Sequence, residues 1–175
     1  MKWVNDLRIS TKLVSGFILV ALIGTAVGLI GVRDLRTIEE ADRSLYETMT
    51  LPLGDVGELS THFQRMRSNV WELVITRDPE AVKKYAQKVK ERRESISEFQ
   101  KKLEEVSDSA EEKKLLEDYQ AQRQVFGPLV DKAVELSLAG KGDEALALVW
   151  GDMEKARTGY QDSIQNLLNF YEESA

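Results

Sequence analysis

The chain has 175 residues, of which 31% are charged, with three prolines, no cysteine and a formal net charge of −6. That composition excludes disulfide scaffolds, thiolate metal sites, collagen-like repeats and disordered tails, and it favours long amphipathic helices. The acidic balance argues against nucleic acid as a partner.

The chain opens on a short basic tail, residues 1–12, carrying Lys2, Arg8 and Lys12 against Asp6. Residues 13–32 then form a run without a single charge, closed by Lys12 and Arg33. As a helix this run is about 30 Å long, the thickness of a bilayer hydrocarbon core. The positive tail is expected in the cytoplasm, with Trp3 near the interface and everything from residue 33 on the outer side of the membrane. A cleaved signal peptide is the weaker reading, because the run ends in Gly31-Val32-Arg33 with no small-residue cleavage pattern. Gly24 and Gly28 are compatible with close approach of a second such helix.

Residues 33–175 carry four heptad runs separated by three short breaks, which predicts an all-α, up-down-up-down antiparallel four-helix bundle with helices at about 33–77, 79–106, 109–139 and 143–175. The first seam reads Ile38, Leu45, Met49, Val56, Leu59, Phe63, Met66, Val70 and Leu73. The second reads Val82, Tyr85, Val89, Ile96, Phe99, Leu103 and Val106, interrupted by Arg92. The third reads Leu115, Tyr119, Phe126, Leu129, Ala133 and Leu136, and the fourth Leu146, Val149, Met153, Ala156, Tyr160, Leu167 and Phe170.

The breaks carry helix-end chemistry. Asp78-Pro79 reads as a cap followed by a first-turn proline, Ser109 with Glu112 has capping-box spacing, and residues 140–143 supply a left-handed stop and a new cap at Asp143. The first helix is the longest, so membrane segment and bundle should form one continuous rod, kinked at Pro52. A second bend is expected in the third helix at Gly127-Pro128.

A second stripe runs beside the first seam: Gly57, Ser60, Gln64, Arg67, Trp71 and Val74. A guanidinium one turn from an indole can grip a carboxylate and cover it with an aromatic plane, and the same groups also suit a dimer contact. Gln64, Arg67 and Trp71 are therefore candidate ligand-binding residues. Trp150 joins them, although its first reading is burial against the core. His62 is expected on a solvated surface, and the charged residues 88–94 and 111–114 on solvated faces. One histidine and no catalytic motif support neither an enzyme nor a metal or other cofactor.

The order of these features resembles the four-helix-bundle sensor domain of methyl-accepting chemotaxis proteins. The resemblance rests on Leu7-Arg8-Ile9-Ser10-Thr11-Lys12-Leu13, Leu51-Pro52-Leu53, Phe63-Gln64-Arg65-Met66-Arg67-Ser68-Asn69-Val70 and Gly142-Asp143-Glu144-Ala145-Leu146. It implies a homodimer, recognition of a small-molecule ligand or partner protein between the first helices, and signalling by displacement of the fourth helix. The resemblance also implies a second membrane helix and an output region beyond residue 175. Arg67, with Asn69, matches the ligand-gripping arginine of amino-acid sensors, but Glu72 and Thr76 stand where further arginines would be expected. The same input bundle could instead serve a histidine kinase or a cyclic-dinucleotide cyclase. A membrane-anchored helical interaction scaffold is the other reading.

Overall fold

The computed structural model describes residues 9–174, all of them helix or short turn. The tail residues Lys2, Trp3 and Arg8 lie outside the described residues. The chain divides into two compact units, residues 1–44 and residues 45–175.

The first unit is a single helix, α1 (Ile9–Leu45), whose last residue belongs to the second unit. Its large apolar side chains from Leu13 to Val32 are all more than half exposed. Among the described residues this is the one stretch apolar enough to cross a membrane, with a mean hydropathy of 2.5. The hydroxyl of Thr25 is satisfied inside the helix, donating to the Ala21 carbonyl at 2.8 Å.

The second unit is the bundle. A π-helical turn, Tyr46–Thr50, leads into α2 (Leu51–Ile75), followed by α3 (Pro79–Val106) and α4 (Ala110–Leu138). The fourth helix is built from α5 (Gly142–Leu148), a second π turn (Val149–Met153) and α6 (Glu154–Ser174). Each connection is short, so neighbours run antiparallel. Helical backbone runs from Ile9 to Ile75 without a coil residue.

The irregularity at Pro52 is the first π turn. Proline has no N–H to continue the α ladder, and immediately before it Leu51 donates to Tyr46 in the wider i→i+5 pattern. Pro52 itself is buried. At the other expected bend, α4 continues through Gly127 and Pro128.

Helix ends follow the sequence chemistry with one change. Asp78 accepts from the Glu80 N–H at 3.1 Å ahead of Pro79. Ser109 accepts from Glu112 N–H at 3.0 Å, and the Glu112 carboxylate reaches back to the Asp108 N–H at 3.0 Å. Gly140 has φ +73°, and the Lys141 N–H bonds Leu136 O at 2.8 Å while Gly140 N–H bonds Ser137 O at 3.1 Å, the pairing of a Schellman stop. The change is Asp143. The fourth helix starts one residue earlier, at Gly142, and Asp143 caps nothing; it accepts from Arg77 Nη2 at 2.6 Å across the turn.

The core is apolar along all four helices and aromatic at its centre. Phe63 meets Tyr160 edge-on at 4.6 Å and Phe126 at 5.7 Å, and the hydroxyls of Tyr119 and Tyr160 pair at 3.1 Å. Most seam residues are buried, but the seam begins later than expected, because Ile38 and Leu45 are exposed. Val106, in the last turn of α3, is also exposed. On α4 and α6 the buried stripe is broader than two positions per heptad: Leu116 and Val130 bury beside half-buried Leu115 and Leu129, and Ile164 and Tyr171 are buried where the heptad reading has no entry or chooses Phe170. A helix packed among several neighbours buries more than a coiled-coil seam.

Candidate functional site

Helix α2 presents Gln64, Arg67 and Trp71 on one face, one turn apart, and the fourth helix lies beside it with Trp150, Glu154 and Arg157. Arg67 Nη1 donates to Gln64 Oε1 at 2.7 Å, and its guanidinium sits 5.9 Å from the Phe63 ring centroid. Arg157 donates from Nε and Nη2 to Glu154 Oε1 at 2.9 and 2.6 Å, and from Nη1 to Gln161 at 2.8 Å. Desolvation, and then the neighbouring Arg157, lower the pKa of Arg67, with Glu154 opposing. The hydrogen bond from Arg157 in turn depresses the Glu154 carboxyl. Two cations thus flank one carboxylate.

Beside this array Trp71 and Trp150 meet edge-on, centroids 4.9 Å apart and planes at 68°. Trp150 is 67% exposed, so the favoured reading of core burial was wrong. Val149 and Met153, four residues apart on the heptad seam, take the core side, and the indole next to Val149 falls off that seam onto the outer surface, against Trp71. Val74, placed on this stripe by spacing alone, is completely buried and belongs to the core.

The structure therefore brings all four candidate residues to one face of α2 and the fourth helix. What it does not form there is a pocket. The cleft lined by Arg67, Trp71, Met153, Glu154 and Arg157 holds about 10 Å³, room for at most one water.

His62 also departs from expectation. Its side chain is only 13% exposed, lying 5.6 Å from the Phe99 ring with Nδ1 3.4 Å from Arg92 Nη1 and Nε2 4.0 Å from the Glu58 carboxylate. Burial first and the Arg92 charge second lower its pKa. Arg92, the polar interruption of the second seam, is what this contact uses.

The larger concavity is elsewhere. Helices α3 and α4 part to leave a groove of about 520 Å³ over Met66, Ile96, Phe126 and Val130, with Arg93, Gln100, Gln120 and Arg123 on its walls. A second space of about 600 Å³ shares Arg93, Arg123 and Asp131. Arg93 pairs with Asp131. Arg93 falls in a stretch that the sequence reading assigned to solvated faces. The available signal was the glutamine- and arginine-rich composition of residues 120–124, which is unlike the Lys/Glu pattern of the other outer faces.

Fold and face together describe an all-α bundle preceded in the chain by an apolar helix, without a metal-holding cluster among the described residues. Residues 6–175 match the family of four-helix-bundle sensory modules for signal transduction, and the chain belongs to that family. Its members are sensory signalling modules rather than enzymes. A search of curated proteins finds no match.

Proposed function

We propose that this chain is the input module of a bacterial transmembrane chemoreceptor: α1 spans the inner membrane, the bundle lies on its outer side, and two copies pair through the Arg67–Trp71–Trp150 face. The observation that carries the reading is the uninterrupted helical backbone from the apolar stretch into α2 of a bundle whose family is sensory. The dimer assignment is supported by an exposed tryptophan pair beside complementary charges, the composition of interface centres. Gln64, Arg67, Trp71 and Trp150 would enclose an anionic ligand only between two subunits, since one subunit leaves almost no volume there.

The test uses the absence of native cysteine. A single Lys114→Cys on the exposed surface of α4 should react with a membrane-impermeant maleimide in intact spheroplasts. Reaction only after lysis would place the bundle in the cytoplasm and overturn the reading.

A further inference from the structure

We propose that the groove between α3 and α4 is a ligand site inside one subunit, that its ligand is a small carboxylate with a compact apolar body, and that Arg123 grips the carboxylate. The proposal rests on the reading of the chain as a sensory input module and supplies the class of its ligand.

Arg123 carries the argument. Its side chain is half-buried, Nη2 donates to Ser97 Oγ at 2.6 Å and Nη1 donates to Gln100 Oε1. Both acceptors are neutral. Among the described residues no carboxylate lies within ion-pair distance of this guanidinium: Asp131 is taken by Arg93, and Glu104 is reached only through the side-chain amides of Gln100 and Gln120, each at 2.6 Å. A half-buried guanidinium at the wall of a cavity, held by neutral groups and with no acid beside it, leaves a position that an anion can fill.

The cavity fits such an anion. Its volume of about 520 Å³ is within the usual range of small-molecule sites, roughly 300–1,000 Å³. The floor, Met66, Ile96, Phe126 and Val130, is apolar and suits a hydrocarbon body, while the polar groups are confined to the walls. Tyr160 of the fourth helix also lines the groove, and its hydroxyl pairs with Tyr119. A ligand seated here would touch α3, α4 and the helix expected to carry the signal.

The experiment is a heteronuclear NMR titration of the full chain in nanodiscs with benzoate, taken to millimolar concentration, and with benzamide as its neutral counterpart. The expected result is saturable shifts confined to the groove with benzoate and none with benzamide. Arg123→Gln should weaken binding roughly tenfold to a hundredfold, the range for losing a charge-assisted contact, and Arg123→Lys should retain part of it. Should Arg123→Gln perturb the fold, Gln124→Glu on the exposed rim places a repelling carboxylate at the entrance and should weaken benzoate binding by itself. The absence of groove shifts, equal response to benzamide, or shifts only at the Arg67–Trp150 face would each overturn the proposal. The maleimide reaction at position 114 reads the sensory-module assignment separately: a bundle labelled from outside that ignores benzoate fails in its site alone.

Discussion

Individual side chains divide sharply between those that hold the bundle and those that decorate it. Val70 is 1% exposed within the core cluster, whereas Arg65, five residues earlier, is on the surface. Val70→Asp puts an unpaired carboxylate where no water reaches and should cost about 4 kcal/mol or more, while Arg65→Ala should stay within about 0.5 kcal/mol of wild type. Urea denaturation midpoints compare them directly, and equal midpoints would mean the seam register is wrong. The buried phenols make a second prediction. Burial raises the pKa of both Tyr119 and Tyr160 above the ordinary 10.0, so the folded state holds these protons more tightly than the unfolded state does. Their contribution to stability is complete below pH 10 and is lost as pH rises toward the folded values. Melting temperature should therefore fall steeply above pH 10. Tyr160→Phe should start about 1 kcal/mol less stable, from the lost hydroxyl pair, yet lose less on alkalinisation. At this scale the apolar core was legible because helical spacing predicts burial. The burial of His62 was not, since it depends on Phe99 and Arg92 arriving from another helix.

Helix ends and irregular turns set which faces meet. The ends were legible residue by residue: Asp78-Pro79, Ser109 with Glu112, and Gly140 each use a backbone donor or dihedral that few residue types can supply. Gly140 at φ +73° is the strictest of these, because a Cβ is strained there even though the surrounding space is open. Gly140→Ala should lower stability by about 1–2 kcal/mol without altering helix content, which thermal melts followed by circular dichroism would register. An unchanged melt would show that the turn relaxes to another stop. The π turn at Val149–Met153 left no comparable mark. No proline forces it, and it carries Trp150, which meets Trp71 on the outer surface. The spread between α3 and α4 was equally hidden, since groove width depends on which neighbours each helix packs against, and α3 packs chiefly on α2.

The buried core cluster lies wholly in the second unit, beginning at Val56 and ending at Tyr171, while the side chains of the first unit described from Leu13 onward are exposed. Residues 45–175 should accordingly fold without α1, giving a helical circular dichroism spectrum and one cooperative melt, because no core contact is lost with the deletion. A chain that stays unfolded after this truncation would show that the bundle depends on α1. The same fragment tests the proposed pairing of subunits. Trp150 is 67% exposed and is not among the buried core residues, so Trp150→Glu should leave the melting temperature within a few degrees of wild type. At an interface the same ring is among the residues whose loss is felt most, and a carboxylate there would be desolvated without a partner. Sedimentation equilibrium of the wild-type fragment should show weak, concentration-dependent dimers that Trp150→Glu removes. Val125→Glu, which changes another exposed apolar residue on α4, should leave them intact. Dimers that survive Trp150→Glu but not Val125→Glu would move the interface to α4, next to the groove that Arg123 lines. The Arg67 face would then have no partner, and its charges would serve only to tie α2 to the fourth helix.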